Sequence, residues 1–403
     1  MSNLELNKEI EEVVAPPKTA VGFIGWMKQN LFSSWFNTIL TIISAMLVYY
    51  IATGSIKWIF FEAEWRVVTE NFRVLMVGRY PVDEIWRIWA GITFSSVLLG
   101  LAWGLWRGSA TVIALFFAGV YFVSSMMPFI ANSSKMWLWG NILLILATFL
   151  VGRKLTTFKK AKMWTIIGWT ILVPLFVLLL NGLGFMKPVP TSLWGGFLLT
   201  LLIALISIVV SFPFGILLAL GRKSNLPVVK WGCIIYIEFI RGVPLITLLF
   251  VAQFVLPLFL GASIDLDNVL RAMIGFTMFS AAYLAENIRG GLQSIPNGQY
   301  EAAQAVGLNK AKVMAFVVMP QALRAVIPAM VGQFIGIFKD TSLVTMVGLS
   351  DILNSGKSIV ANIKYLGLHM EVYVFIAFVF FLFCYLMSYT SRRLEKSLGV
   401  GER

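Results

Sequence analysis

The sequence contains few charged side chains and few that bind metal ions. Only 13% of its 403 residues are charged, whereas about a quarter are charged in an average soluble domain. It has a single histidine, His369, and two cysteines, Cys233 and Cys384, which lie far apart and match no metal-ligand spacing. These shortages exclude a multi-histidine metal site, argue against a Ser/His/Asp apparatus, and predict that the chain is not an enzyme.

Apolar side chains are correspondingly abundant, at 59% of the sequence. A bilayer span needs roughly 20 apolar residues, so this composition predicts an all-α, polytopic membrane protein with about ten transmembrane helices. The predicted spans are the uncharged runs Gln29–Ile56, Ile88–Trp106, Gly108–Ser134, Met136–Gly152, Met163–Met186, Pro188–Gly221, Gly242–Ile264, Ala272–Ala285, Ala325–Phe338 and Val372–Ser391.

The net charge of +13 indicates topology rather than nucleic-acid binding. Ten spans with a cytoplasmic N-terminus place 21 of the 32 lysines and arginines on the cytoplasmic face, as the positive-inside rule requires. Both termini are therefore predicted to be cytoplasmic. Residues 1–34 form a cytoplasmic segment with an amphipathic helix along the membrane surface, and residues 54–87 form a charge-balanced outer loop.

The interval Glu286–Pro320 is the most polar stretch of the second half. Residues that typically start or end helices predict two helices here. The first covers Tyr300–Val306 and ends at Gly307, and the second is capped by Asn309 and broken at Pro320. Three alanines in the first helix, Ala302, Ala303 and Ala305, predict a smooth surface for a partner, and Glu301 supplies a charge. The alternative is an ordinary surface helix between two spans.

The spacing in this interval resembles the EAA signature of ABC importer permeases. Glu301, Ala302 and Ala303 are followed after three residues by Gly307, and after nine more by Val317, Val318, Met319 and Pro320. The flanking motifs YIEFIRGVPL, AYLAENIRGGLQSIP and FKDTSLVTMVGLSDIL are similar to those of the polar amino-acid, or histidine/glutamine permease, subfamily. The N-terminal half resembles the larger permease subunits of general L-amino-acid importers.

This resemblance implies a type I importer core of five helices over residues 191–396, preceded by an extension of about five helices over residues 35–190. Loop 290–320, with Glu301, Ala302, Ala303, Gly307 and Pro320, would couple to a cytoplasmic ABC ATPase dimer. Other implied partners are a second permease, a sibling rather than a copy, and a periplasmic or lipid-anchored binding protein for amino acids. The chain would lie in the inner membrane among lipids, without nucleic acid.

No phosphate-binding loop is predicted. The string GILLALGRKS at Gly215–Ser224 has five residues between its glycines and an arginine before its lysine, which breaks the spacing that a phosphate loop needs. ATP and Mg²⁺ are therefore expected on the partner ATPase, and no cofactor on this chain.

Two pairs of opposite charge lie near the cytoplasmic ends of core spans. Glu238 and Arg241, like Glu286 and Arg289, are three residues apart and can meet on one helix face. Either pair could anchor its helix end or take part in gating.

Polar residues inside two short spans are candidates for the substrate pathway. Lys339, Asp340, Thr341 and Ser342 interrupt an apolar helix, and charges at such depth usually face a partner or a water-filled cavity. The alternative is that the helix ends at Phe338 and these residues lie in outer water. Thr277 and Ser280 could contact substrate or bond to their own helix backbone.

Two other functions compete with that of an ATP-driven importer subunit. An ion-coupled secondary carrier would need inverted repeats and buried carboxylates, but most acidic residues here lie at span ends or in loops. A membrane scaffold would not need the spaced loop signature.

Overall fold

The computed structural model describes residues 22–260 and 266–399, and within them the chain is helical with no named strand. The α-helices are α1 Phe23–Asn30, α2 Trp35–Lys57, α3 Arg66–Glu70, α4 Phe72–Val77, α5 Trp86–Trp106, α6 Ser109–Met126, α7 Asn132–Lys154, α8 Lys159–Asn181, α9 Gly196–Arg222, α10 Pro227–Gly242, α11 Leu245–Phe250, α12 Leu256–Leu260, α13 Asn268–Gln293, α14 Asn297–Ala305, α15 Lys310–Lys312, α16 Met319–Asp340, α17 Ile352–Val360 and α18 His369–Leu398.

The chain divides into two compact units, one ending at Glu64 and the other beginning at Trp65. The first contains α1 and α2. Helix α1 lies where an amphipathic helix was predicted, and its Phe23 and Ile24 are exposed. Its place on a membrane surface and the domain boundary at residue 190 stay predictions. The predicted cytoplasmic residues 1–21 and Arg403 lie outside the described part of the chain.

The membrane prediction is confirmed. Within the described residues, nine helices are long and apolar enough to cross a bilayer, and a bent pair makes ten if it counts as one span. An all-helical chain is expected here, because a helix satisfies its backbone hydrogen bonds internally where lipid offers none.

The bent pair shifts the start of one predicted span. Residues 242–264 were expected to cross as one helix, and the helix there begins at Leu245 and continues to Leu260. The preceding helix Pro227–Gly242 makes an angle of 109° with it. Val243 between them is extended, with φ −105° and ψ 134°, because the following Pro244 disfavours helical geometry in the residue before it. Residues 261–264 of the predicted span lie outside the described chain.

The second unit is built around the contact between α9 and α13. Gly215 of α9 lies so close to α13 that a Cβ atom there would be 2.8 Å from Cβ of Leu284. Buried side chains of both helices, including Leu199, Ile203 and Phe276, form one apolar cluster. Tyr80 and Leu180 belong to the same cluster, so residues before α9 share its core.

Arg87 connects the start of α5 to the segment after α8 through hydrogen bonds and an ion pair. Its side chain is buried, pairs with Glu84 at 2.8 Å, and donates from Nη2 to the carbonyl of Lys187 at 3.0 Å. Nearby, the hydroxyl of Tyr80 donates to the carbonyl of Leu180 at 2.9 Å. These bonds join segments about one hundred residues apart in the chain.

The α4 segment lies against the start of α9 with almost no space between the backbones. Gly78 has φ +65°, and a Cβ atom there would lie 2.4 Å from Cα of Gly195. Gly196 donates its N–H to the carbonyl of Ser350 at 2.8 Å. Only glycine fits at residue 78, because any side chain would collide with backbone and would also be strained at this φ.

We therefore expect Gly78→Ala to destabilise the chain by about 1–3 kcal/mol or more, since strain and collision add. The matched control is Gly119→Ala in α6, where a Cβ atom would meet nothing within 4 Å; it should be neutral or slightly stabilising. The measurement is thermal unfolding of both purified full-length variants in detergent. Equal melting temperatures for the two variants would contradict the proposed close approach.

Candidate functional site

Helix α14 has well-defined ends. It begins after the extended Pro296 and ends where Gly307 takes φ +84° and donates its N–H to the carbonyl of Gln304 at 2.9 Å. Asn309 then caps the next helix by accepting from the N–H of Lys312 at 2.9 Å. The predicted turn at Gly307 and the predicted cap at Asn309 are both present.

The faces of α14 differ in exposure. Glu301 and Ala302 are exposed, and among the described residues Glu301 has no hydrogen-bond or ion-pair partner. Ala303, by contrast, is buried in an apolar cluster with Ile288 and Val313. The expectation that all three alanines face a partner is therefore wrong: Ala303 packs α14 against its own chain, and Ala302 and Ala305 stay exposed.

Pro320 does not break the helix that follows. Helix runs without interruption over residues 310–347, through a π-helical stretch at Val313–Val318 and into α16. Pro320 lies in the first turn of α16. The π-helical stretch directly before it has wider turns, which change the pattern of backbone hydrogen bonds there. A proline is tolerated there because its missing N–H is not needed in a first turn. The predicted end of the second helix near Met319 is wrong for the same reason.

Both predicted charge pairs meet in one cluster with Arg222, which we call the arginine–glutamate cluster. Its members are Arg222 of α9, Glu238 and Arg241 of α10, and Glu286 and Arg289 of α13. Three guanidinium groups thus surround two carboxylates where three helices meet.

Glu286 is the centre of this cluster. It pairs with Arg289 of its own helix, and its Oε2 lies 3.3 Å from Nη1 of Arg222 and 3.8 Å from Nη1 of Arg241. Glu238 is nearer the rim: its carboxylate is 2.8 Å from Arg222 and 3.9 Å from Arg241. The side chain of Glu286 is 21% exposed and that of Glu238 is 52% exposed, so water screens the interactions of Glu286 less.

A second polar group lies where α9, α13 and α16 meet. The hydroxyls of Ser211 and Ser280 are 2.8 Å apart, and Gln333 donates to the carbonyl of Ser280 at 2.9 Å. Asn287 in turn donates to Oε1 of Gln333 at 2.8 Å. Ser280 is thus bonded to another helix instead of its own backbone.

One turn before Ser211, the buried hydroxyl of Ser207 has no partner among the described residues. Thr277 is partly buried one turn before Ser280.

The polar stretch after Phe338 remains helical. Helix α16 continues through Lys339 to Asp340, and a 3₁₀ segment follows over Thr341–Val347. The predicted helix end at Phe338 is therefore wrong, and the placement of these residues in outer water stays a prediction. Thr341 is buried and donates to the carbonyl of Phe338 at 2.7 Å, whereas Lys339 is exposed and Asp340 is partly buried.

In the two described ranges, no three His, Cys, Asp or Glu side chains gather closely enough to hold a metal ion.

Sequence reasoning missed several partners of the predicted residues. In the sequence, Arg222 served only as a charge that indicates topology. It lies 16 residues before Glu238, so a contact between them cannot form within one helix. Ser211, Asn287 and Gln333 were not singled out. Their signal was present as polar side chains inside apolar spans, which need a partner in lipid.

Comparison with known proteins gives consistent matches. Residues 211–400 match the family described as binding-protein-dependent transport system inner membrane component. The Escherichia coli K12 inner membrane amino-acid ABC transporter permease protein YhdY is 36% identical over 93% of this chain and 93% of its own length. The Rhodobacter capsulatus glutamate/glutamine/aspartate/asparagine transport system permease protein BztC is 35% identical, over 97% and 98%.

Shorter relatives match about half of this chain. The probable glutamine ABC transporter permease protein GlnP of Bacillus subtilis is 37% identical over 50% of this chain and 92% of its own. A solved structure, an amino acid ABC transporter with histidines, is 28% identical with a TM-score of 0.46, covering 50% of this chain and 92% of that chain.

Because Glu286 contacts three arginines, Glu286→Gln should destabilise the chain by about 1–2 kcal/mol, a value reduced for partial exposure. The matched variant Glu238→Gln, at the exposed rim, should cost clearly less. Thermal unfolding of both purified variants measures the difference. If Glu238→Gln were the more damaging change, Glu286 would not be the centre of the cluster.

Proposed function

This chain belongs to the permease subunits of amino-acid ABC transporters, the inner membrane components of binding-protein-dependent transport systems, and from that premise we propose how it works. It lines half of a path by which polar L-amino acids, or a broad range of them, enter the cytoplasm. The ion-coupled carrier finds no support among the relatives.

The observation that carries the coupling mechanism is the exposed Glu301, which has no partner among the described residues and lies on a helix that is otherwise fixed to the chain. Ala303 and the turn at Gly307 hold α14 in place, while Glu301 and Ala302 are free to contact another protein. A carboxylate offered in this way suits an arginine or lysine in a groove of a cytoplasmic ATPase. We assign the coupling role to Glu301, Ala302, Ala303 and Gly307; Pro320 keeps the following helix continuous.

The proposed topology has both termini in the cytoplasm, because that orientation places 21 of 32 basic residues inside. The arginine–glutamate cluster and α14 then share the cytoplasmic side. Residues 66–84 and α17 lie outside, where a binding protein delivers the amino acid. The partner ATPase dimer binds the ATP and Mg²⁺, and a sibling permease lines the other half of the path.

We propose that the path passes the polar groups of α9, α13 and α16. The hydroxyl of Ser207, which has no partner in the described ranges, offers hydrogen bonds together with Ser211, Ser280 and Gln333 inside an otherwise apolar region. Thr277 lies on the same helix as Ser280. At the far end of α16, Asp340 with Lys339, Thr341 and Ser342 places charges and hydroxyls that suit a zwitterion.

Co-purification and transport test the function. We expect the wild-type chain to be recovered with an ATPase subunit and to support uptake that requires ATP and a binding protein. Glu301→Lys should leave membrane insertion intact and abolish ATP-coupled uptake, since it replaces an attractive charge with a repulsive one.

The matched control is Gln304→Lys, which adds a lysine to the exposed surface of the same helix at a position where the signature accepts any residue. It should retain most of the uptake. Recovery of the chain without any ATPase, together with uptake unaffected by ATP depletion, would contradict the importer function. Normal uptake by Glu301→Lys would contradict only the coupling role.

A second test addresses the pathway. Asp340→Asn removes a partly buried charge while keeping the side chain's shape, and we expect amino-acid uptake to fall by about tenfold or more at normal membrane expression. The matched change Ser342→Ala, which removes a hydroxyl that donates to the carbonyl of Lys339, should have a smaller effect. Wild-type uptake by Asp340→Asn would remove Asp340 from the path.

A further inference from the structure

A cavity of about 200 Å³ with both polar and apolar lining lies beside the start of α9, away from the arginine–glutamate cluster and from α14. Three segments of the second unit line it: residues 71–79, residues 192–194 and residues 350–365. On the proposed topology all three lie at the outer side of the membrane. No residue assigned above to coupling or to the pathway lines this cavity.

Bonds between the segments hold the cavity open. Gly78 pairs with Trp194 in an isolated bridge, and the N–H of Gly196 donates to the carbonyl of Ser350. On the opposite side, the carboxylate of Glu70 accepts from Lys364 Nζ and from the Tyr365 hydroxyl, each at 2.5 Å. Each wall is therefore fixed before any ligand arrives, which lowers the entropic cost of binding.

The lining combines one cationic group with oxygens that can accept hydrogen bonds, which suits a molecule that carries both a carboxylate and an ammonium group. It includes the guanidinium of Arg79, the hydroxyls of four serines and the amides of Asn71 and Asn362, and no lining residue is acidic. Arg79 is exposed and has no carboxylate partner in the part of the chain that the structure describes. An unpaired guanidinium favours a carboxylate, which it can bind through two parallel hydrogen bonds.

Glu70 does not compete for Arg79. Hydrogen bonds from Lys364 and Tyr365 hold the pKa of the Glu70 carboxyl below its ordinary value, so Glu70 is charged at neutral pH but already compensated by Lys364. The positive charge of Arg79 is left for a ligand.

The volume suits a molecule the size of an amino acid. The cavity volume of about 200 Å³ is several times the roughly 30 Å³ that one molecule occupies in liquid water. It therefore has room for a small solute in place of several waters. Hydroxyl and amide oxygens around the cavity can accept from an ammonium group while Arg79 holds the carboxylate.

We propose that this cavity binds a free α-amino acid at the outer side of the membrane, with its carboxylate on Arg79 and its ammonium on oxygens of Ser358 and Asn362. The amino-acid identity of the ligand rests on the proposed function. The site would hold an amino acid beside the path before it enters.

The family match over residues 211–400 includes the third lining segment but neither of the first two. Arg79, the residue that sets the ligand's charge, belongs to the part before that match. The site therefore depends on the long N-terminal part of this chain, which supplies Arg79.

The test is titration calorimetry on the full transport complex in lipid nanodiscs, without ATP or binding protein. L-glutamate, L-glutamine and glutarate, which has carboxylates but no ammonium, are compared.

Arg79→Gln should weaken binding of both amino acids by about tenfold or more, the loss expected for a charge-assisted hydrogen bond. Ser358→Leu, which fills the cavity without changing charge, should also weaken it. The matched control Arg73→Gln, an exposed arginine of α4 that does not line the cavity, should stay within about twofold of wild type.

Amino-acid binding that is unchanged in both Arg79→Gln and Ser358→Leu would overturn the proposal. Glutarate binding as tightly as L-glutamate, with the same dependence on Arg79, would overturn the amino-acid assignment. A failure of the proposed function is recognised separately, because the wild-type complex would then lack ATP-driven uptake whatever the variants bind.

Discussion

The hydrocarbon interior of a membrane offers no partner to a backbone N–H or C=O group, and the architecture of this chain follows from that constraint. The long spans are helical throughout. In the described part of the chain, departures from regular α-helix within or beside the spans include the extended residue Val243 between α10 and α11, the π-helical turns, and the 3₁₀ segment Thr341–Val347. In the last of these, Thr341 donates to the carbonyl of Phe338 in the preceding turn.

The same constraint gathers the charged and polar side chains of the core. An arginine and a glutamate near a helix end are costly apart and stable together, provided that their geometry is good. Here one carboxylate, that of Glu286, brings α9 and α10 to the last turns of α13. Because α13 ends only a few residues before α14, the cluster fixes the helix ends beside the segment that we assign to coupling.

Hydropathy and local punctuation were enough to predict the membrane class, the number of spans, the turn at Gly307 and the cap at Asn309, because each depends on neighbouring residues. Contacts across the chain were not predictable in this way. Arg222 meets Glu286 across 64 residues and Gln333 meets Ser280 across 53. Pro320 was misjudged because the preceding π-helical stretch, which accommodates it, has no clear sequence signal. Ala303 was misjudged because the exposed face of α14 depends on what packs beneath it.

The two polar groups of the core are mechanically linked, because α13 carries residues of both. Ser280 and Glu286 are six residues apart on one helix, a rise of about 9 Å, and Asn287 reaches from α13 to Gln333 of α16. Helices α13 and α16 are also the two that flank the segment containing α14. A displacement of α14 by an ATPase would therefore act on both helices together, and the bonds between Ser280, Asn287 and Gln333 are those that must rearrange if α13 and α16 separate. In the proposed path, the serine hydroxyls released by such a separation would be available to an amino acid.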